Sequence, residues 1–433
     1  MSELQVGIVV TVGLLALVFM GVRVYAAAAM AGLVGMVALI GWDAGAGIVG
    51  TIPHSKSINY VLSVLPMFIL IGFIAYHAGL THALFDAARA WFGWVPGGLA
   101  VASVFATAGF AAVSGASTAT AAVFSRVAIP HMLDHGYDRR LAAGVVAAGG
   151  TLASLIPPSA ILVIYAIIVE ESVGTLILAG FVPGVISAII YAMLIVGQCV
   201  WRPDLGRRIA SPPMVERIRT LPGTVPIFAV VAIIFSAMYL GWATPTEAGA
   251  LGAFVVLVIA LFRGMRMQDL QNALMETAKL TVMIFALIWG VLIFVRFLGF
   301  AGLPEAFASW IVSLPFPPIV IMIMILLGYA VLGMFMDAIG MLLLTLPVVY
   351  PAVIALGYDP IWFGIIVVKM CEVCLITPPV GLNCYVVAAV RPDIPLGDVF
   401  RGIFPFFIAD AATVGLFLAF PGIVLWLPNL LNS

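Results

Sequence analysis

Charge is scarce in this 433-residue chain: 18 basic and 19 acidic residues make up 9% of it, against roughly 25% in ordinary globular domains. With 64% hydrophobic residues, a soluble fold is excluded. A formal net charge of -1 leaves no basic face of the kind nucleic acids require. Cysteine is sparse too: Cys199, Cys371, Cys374 and Cys384 all sit in or beside apolar runs, where small buried hydrophobes are expected. Cys371 and Cys374 form a CxxC, but no second Cys or His pair completes a zinc set. The five histidines lie in loops or at span ends, and no GxxxxGK[ST] occurs, which removes ATP binding through a P-loop. Segments alternating apolar and polar residues, the mark of a membrane β-barrel, are also missing.

What remains is continuous apolar sequence in runs long enough to cross a bilayer, which takes about 20 residues per helix. Because helices satisfy their own backbone groups in lipid, the fold class expected is an all-α polytopic membrane protein. Residues 5–22 follow an acidic start, Glu3, and lead straight into another apolar run, so they read as a first span rather than a signal peptide. Full crossings are expected at 5–22, 25–42, 60–79, 139–170, 174–200, 223–241, 246–263, 277–299, 360–390 and 399–427. Two further stretches, 96–132 and 317–353, are apolar but carry small or polar residues at their centres, Ser114-Gly-Ala-Ser-Thr118 and Gly333-Met-Phe-Met-Asp337. They read as helical hairpins that enter and leave on one side.

The basic residues test that count through the positive-inside rule. With ten crossings and two re-entrant hairpins, 15 of the 18 fall at or near one side, leaving Lys56 and Arg296 opposite and Lys369 within a span. Counting either hairpin as a crossing scatters them. The densest basic segment, residues 201–221, then becomes a cytoplasmic linker, and both termini lie outside.

An internal repeat organises the chain. Pro130, Gly136, Tyr137, Asp138, Pro157 and Pro158 recur 221 positions later as Pro351, Gly357, Tyr358, Asp359, Pro378 and Pro379. Ala78-Gly-Leu80 likewise faces Ala301-Gly-Leu303. Each unit runs span, arm, hairpin, then a span broken at Pro-Pro. Five crossings separate the two starts, so the second unit is inverted. The domain reading is 1–59 scaffold helices, 60–200 first repeat, 201–221 linker, 222–276 connecting scaffold helices and 277–433 second repeat. Inverted repeats with interrupted helices are the architecture of secondary transporters, whose sites lie where broken helices expose carbonyls and helix ends.

Each Pro-Pro removes two amide donors and frees carbonyls in the preceding turns. Such carbonyls are tolerated at membrane depth only where something else satisfies them, and they suit a hard, weakly held cation such as sodium. The competing reading is a simple proline kink; for the Ser/Gly clusters it is close helix packing through small residues. The duplication of break plus hairpin favours a site. Candidate sodium ligands in the first unit are Ser114, Gly115, Ser117, Thr118, Ser154, Ile156 and Ser159. In the second they are Gly333, Asp337, Cys374, Thr377, Val380 and Asn383, with Ile156, Cys374 and Val380 offering backbone oxygen only. Ser117, Thr118, Asp337 and Asn383 are the candidate substrate contacts. Asp337 is an ionisable group inside an apolar hairpin, a functional candidate because burying charge is costly. Lys369 and Glu372, three apart on one helix, read as a mutually neutralising pair; Arg296 reads as snorkelling, and Glu247 in Ala243-Thr-Pro-Thr-Glu-Ala248 as helix-start chemistry.

Taken together, Ser114-Gly-Ala-Ser-Thr118, Leu155-Ile-Pro-Pro-Ser159, Ala243-Thr-Pro-Thr-Glu-Ala248, Phe335-Met-Asp337 and Ile376-Thr-Pro-Pro-Val-Gly381 make the chain resemble, over nearly its whole length, the large membrane subunit of the tripartite ATP-independent periplasmic (TRAP) transporters. The resemblance implies a sodium-coupled symporter of the bacterial cell inner membrane, with an elevator-type fold in which hairpins and broken helices move against a scaffold. It implies two partners, a small membrane (Q) subunit of about four helices on a separate polypeptide and a soluble periplasmic solute-binding (P) protein that delivers an organic acid such as a C4-dicarboxylate or sialic acid. Among the sodium ligands it bears most on Gly333, Thr377 and the carbonyls of 374 and 380; Cys374 stands where glycine is usual. The alternatives are a stand-alone sodium- or proton-coupled carboxylate transporter of related fold, an ion channel and an intramembrane enzyme. An enzyme lacks its nucleophile–base pair or metal set here, and a channel needs a continuous pore, whereas opposed hairpins suit alternating access.

Overall fold

The computed structural model describes residues 2–58, 60–210, 212–334, 336–379 and 381–432, and every regular element among them is a helix. The chain opens with α1 (Glu3–Phe19), α2 (Val24–Ile40) and α3 (Trp42–Ser57), then α4 (Val64–His77) behind a short 3-10 turn and the arm α5 (Leu80–Phe92). The first hairpin is α6 (Gly98–Ser114) and α7 (Ser117–Asp134), followed by α8 (Arg139–Thr151), a break, α9 (Ala160–Val169) and the long α10 (Val173–Trp201). The middle holds α11 (Met214–Thr220), α12 (Val225–Tyr239) and α13 (Pro245–Phe262). The second unit follows as α14 (Met267–Phe300), arm α15 (Leu303–Ser313), hairpin α16 (Pro318–Gly333) and α17 (Ala338–Ala355), then α18 (Pro360–Ile376), a break, and α19 (Leu382–Val390). The chain closes on α20 (Leu396–Ala419) and α21 (Pro421–Asn432).

Of the ten expected crossings, five correspond to unbroken helices long and apolar enough to span: Tyr60–His77, Val173–Trp201, Pro245–Phe262, Met267–Phe300 and Leu396–Ala419. Two are 17-residue helices, α1 and α2, about 25 Å at 1.5 Å per residue. The crossing at 223–241 is α12, bent by 52° from the segment before it. The remaining two are the broken pairs. Three departures from the sequence expectation stand out. Residues 42–57, left without an element, form α3 despite Pro53. The expected run 399–427 divides at Phe420 and Pro421, because proline cannot donate its missing amide to continue α20. Conversely α14 begins ten residues earlier than expected, carried by the mixed polar and apolar stretch Met267–Glu276, which starts at a capping box between Arg266 and Asp269.

The repeated Gly-Tyr-Asp triplet is punctuation. Gly136 and Gly357 adopt φ of 75° and 85°, ending α7 and α17 with the same pair of bonds: the glycine amide donates to Leu133 or Ile354, and the tyrosine amide to Met132 or Val353. This is the Schellman arrangement. The aspartates then cap the next helices, Asp138 accepting from the Arg140 amide at 2.7 Å and Asp359 from the Trp362 amide at 2.8 Å. Thr244 and Glu247 form a capping box at the start of α13, as the sequence suggests.

Packing sorts the helices. Helix α2 runs along α14, and α4 lies against α13 and α14. Separately, α8 is enclosed by α6, α7, α19 and α20. The α8–α20 crossing is close because a Cβ on Gly402 would lie 1.9 Å from the Arg140 carbonyl, the small-residue contact that membrane helices use in place of hydrophobic drive.

Candidate functional site

The first break is built from residues with too few amides to continue a helix. Helix α8 ends at Thr151, a 3-10 turn covers Leu152–Ser154, and the cis Pro157–Pro158 bond follows. Ser159 restarts the chain by accepting from the Leu162 amide at 3.3 Å while its hydroxyl donates to the Ser154 carbonyl. The tip of the first hairpin sits on this break. Gly115 takes φ 58°, and a Cβ there would lie 2.4 Å from the Pro158 carbonyl oxygen, so the backbone of the tip touches the backbone of the break. Ser117 and Ser154 share a hydrogen bond of 2.7 Å, and Ser114 and Thr120 one of 2.9 Å, all buried.

The second break is arranged differently. Helix α18 ends at Ile376, and Pro378–Pro379 is again cis. A Cβ on Gly333 would lie 1.7 Å from the Cys374 sulfur, which brings the end of α16 onto α18. The Cys374 thiol points to the Tyr329 carbonyl at 3.5 Å, and its own carbonyl accepts from the Thr377 amide at 3.3 Å. Thr377 donates its hydroxyl to the Val373 carbonyl at 2.6 Å. Asp337 caps α17, accepting from the Gly340 amide at 2.9 Å. Asn383 reaches out of its own unit: its amide donates to the Ala147 carbonyl of α8 at 3.1 Å, while its Oδ1 is buried with no hydrogen-bond partner among the described residues.

A cavity of about 560 Å³ opens between α4 and α14 on one side and the first hairpin on the other, with Ser114 and Thr118 at its hairpin wall. Arg126, Lys279 and Glu276 also line it. Glu276, which His77 meets at 3.2 Å, is the one carboxylate among these three, so cations outnumber carboxylates two to one along the wall. Such a surface fits an anion of a few carbons, the Arg fork being suited to a carboxylate.

Sequence comparison sets this geometry among known proteins. The family model described as "Tripartite ATP-independent periplasmic transporter, DctM component" matches residues 11–423. The chain belongs to that family. The C4-dicarboxylate TRAP transporter large permease DctM of Pseudomonas aeruginosa is 36% identical over 378 residues, covering 86% of this chain and 87% of that protein. The sialic acid TRAP transporter large permease SiaM of Vibrio cholerae is 29% identical, covering 86% and 87%. Among solved structures, the YdaH transporter of Alcanivorax borkumensis superposes with a TM-score of 0.59 at 16% identity, over 89% of this chain and 90% of that one, a likeness of fold. The protein is therefore a transporter subunit of the membrane and not an enzyme.

In this DctM-family chain the structure brings Ser114, Gly115, Ser117, Ser154 and Ser159 together, and separately Gly333, Cys374 and Thr377. Ile156 directs its side chain onto Gly184 of α10. Of the candidate substrate contacts, Thr118 alone among the described residues lines the 560 Å³ cavity; Ser117 and Asp337 are committed to the bonds just described, and Asn383 commits its amide nitrogen while its Oδ1 stays unpaired. Val380 lies outside the described residues. Lys369 and Glu372 do pair, at 2.7 Å, but Asp410 joins them at 2.8 Å, and all three are fully buried. Arg296 lines a second cavity, of about 1040 Å³, beside Glu170 and Glu171.

Sequence reading missed Thr120, Arg126, Glu276, Lys279 and Asp410 as participants. Arg126 is the one with a readable signal: it lies nine residues beyond Ser117 in the same apolar hairpin, where a charge demands a partner or a cavity.

Proposed function

We propose that this chain is the permease of a sodium-coupled importer that takes an organic acid from a soluble periplasmic solute-binding protein and works beside a small membrane subunit in the bacterial inner membrane. The observation that carries the reading is the seat of Gly115 on the Pro158 carbonyl together with the Ser117–Ser154 bond. It joins a hairpin tip and a broken helix into one oxygen-rich unit, which is what a weakly held cation requires and what a simple kink does not need. The buried, unpartnered Oδ1 of Asn383 offers another oxygen to such an ion.

The cavity supports the substrate class: Arg126 and Lys279 line a space whose hairpin wall is Ser114 and Thr118. Relatives named for C4-dicarboxylate and sialic acid are both named for carboxylates. In an elevator motion the units at 60–200 and 277–433 would contribute their hairpins and broken helices to the moving part, while α2, α4, α13 and α14 stay with the scaffold, and the cavity lies on the boundary between them. Sodium binding that closes tip onto break would then license movement of the loaded unit.

Reconstitution into liposomes tests the reading. Uptake of a radiolabelled organic acid is expected to require an inward sodium gradient, the small subunit and the solute-binding protein. Uptake by this chain alone, driven equally well by a proton gradient without sodium, would overturn it.

A further inference from the structure

The basic linker after α10 is docked against the first unit as a strap. The Gly97 amide donates to the Gly206 carbonyl at 3.3 Å, the Asp138 amide to the Leu205 carbonyl at 3.0 Å and the Ile209 amide to the Gly93 carbonyl at 3.0 Å. Tyr137 adds its hydroxyl to the Arg207 carbonyl at 2.7 Å, and a Cβ on Gly206 would lie 2.6 Å from the Tyr137 ring. These bonds use main-chain atoms of the strap, so its side chains are not spent on holding it. Arg202, Arg207 and Arg208 are exposed, and their guanidiniums have no ion pair or hydrogen bond among the described residues. A second group of cations adjoins them through Asp138 and the start of α8. Asp398, buried at the start of α20, takes Arg139 at 2.7 Å, Arg140 at 3.1 Å and Arg401 at 3.8 Å, and those three side chains are 53%, 48% and 70% exposed. Across the segments that meet here, residues 134–140, 202–208 and 391–401, seven arginines stand against five aspartates. Asp393 is taken by Arg391 at 2.6 Å, and Asp138 is committed to capping α8.

The depth of this patch is set by α10. Met193 and Val200, seven residues apart, share one face of the helix, with Trp201 beside them, and all three are exposed, Trp201 to 88%. An outward-facing tryptophan at the end of a membrane helix sits at the level of the lipid headgroups, and Arg202 follows it directly. The strap therefore begins at headgroup depth, on the side where 15 of the 18 basic residues fall. Guanidinium forks match phosphate oxygens, and arginine clusters immediately beyond a membrane helix attract anionic lipid. We propose that the strap and the start of α8 form a binding surface for the headgroups of anionic phospholipids. Because the strap is bonded to the loops on either side of the first hairpin, bound headgroups hold those loops at the membrane surface.

Binding of fluorescent phosphatidylglycerol to the purified full chain in detergent, with fluorescent phosphatidylcholine as the neutral probe, tests this. The wild-type chain should bind phosphatidylglycerol more than about tenfold tighter, and raising the salt from about 0.05 to 0.5 M should remove most of that preference by screening. Equal affinities for the two lipids, or a preference that salt leaves unchanged, would overturn the proposal without any mutation. Arg207→Gln with Arg208→Gln keeps every main-chain bond of the strap and should cut the preference about tenfold, each arginine near an anionic surface being worth about fivefold. Arg23→Gln with Arg219→Gln removes the same charge from two other exposed arginines on that side and should leave the preference within about twofold of wild type. Equal losses in the two double variants would show a general effect of charge and refute the site. Disappearance of the preference when a second protein subunit is bound to the chain would mean that a protein covers the patch, and would also refute it.

Discussion

Gly115→Ala is the sharpest perturbation of the proposed ion site, because two independent costs fall on one atom. The residue has φ 58°, and placing a Cβ in the left-handed region costs about 1–2 kcal/mol. The same Cβ would stand 2.4 Å from the Pro158 carbonyl oxygen, a backbone atom that cannot swing aside; forcing an extra methyl into a packed site costs typically about 1–3 kcal/mol. The sum, about 2–5 kcal/mol, exceeds what the Ser117–Ser154 bond can offset at about 1 kcal/mol net. The tip should therefore lift from the break while the hairpin stays folded. If sodium binds only the seated tip, the half-saturating sodium concentration for uptake should rise by about tenfold or more, since 1.4 kcal/mol is a factor of ten. Gly136→Ala is the control: it has φ 75° with open space around the new methyl, so it bears the backbone cost alone, far from the break. Thermal midpoints and sodium titrations of both variants in liposomes decide the matter. A Gly115→Ala protein with wild-type sodium dependence would show that tip and break do not form the ion site.

Other outcomes follow from the same geometry. Ser117→Ala leaves the Ser154 hydroxyl buried and unpaired, costing about 1–3 kcal/mol, and a double-mutant cycle with Ser154→Ala should show the two losses to be strongly non-additive in thermal unfolding. Asp337→Ala removes the cap of α17, worth about 1 kcal/mol, and should raise the sodium requirement; Asp337→Asn keeps a capping oxygen, so recovery in that variant would assign the residue to capping and not to charge. Arg126→Gln and Lys279→Gln should each weaken apparent affinity for an anionic substrate by about tenfold, the worth of a hydrogen bond to a charged group, with a smaller change in maximal rate. Tyr137 lies in the loop between α7 and α8, donating to the Arg207 carbonyl at 2.7 Å and accepting from the Leu99 amide at 3.1 Å. Burial pushes its phenol up to about 12 from 10. A raised phenol value means that its stabilisation is complete below pH 10 and disappears as pH climbs through about 12, so tyrosinate absorbance should lag free tyrosine, and Tyr137→Phe, which removes one of eleven tyrosines, should take away that one phenol's share of the lag while lowering the thermal midpoint.

Legibility in the sequence tracked the range of the interaction. The Gly-Tyr-Asp triplets were visible because helix stop and helix cap are written within six residues, and the same is true of the capping box at Thr244 and Glu247. The Pro-Pro breaks were visible because proline imposes its consequence on its own backbone. Helix α3 escaped because Trp42–Ser57 mixes glycine, polar residues and Pro53, so neither length of apolar run nor periodicity announces it. The cavity escaped for a different reason: Arg126 and Lys279 are more than 150 positions apart and meet only because α14 and the first hairpin face each other across it. Asp410 was likewise invisible as a partner of Lys369, since the i, i+3 rule that pairs Lys369 with Glu372 sees only one helix.

These differences of range explain why the two repeats kept their punctuation and diverged in their chemistry. Caps and breaks are local, so each unit retains its own glycine, aspartate and proline pair. The oxygen-bearing contacts are not local. In the first unit hydroxyls pair across the hairpin and the break, Ser117 to Ser154 and Ser114 to Thr120. In the second the equivalent space is filled by Cys374 against Gly333, and the amide of Asn383 crosses to the Ala147 carbonyl of the first unit. A cation seated at the proposed site on the first break would therefore be linked to the second through α8, because Ala147 lies one turn before the Thr151 end of the helix that carries the break. Asn383→Ala should accordingly weaken sodium binding even if the ion sits wholly among first-unit oxygens, whereas Asn383→Asp, which gives up the donor to the Ala147 carbonyl but keeps an oxygen at Oδ1, separates the two roles. Restored sodium dependence in the aspartate variant would assign Asn383 to the ion through Oδ1; loss in both would assign it to the bridge between repeats.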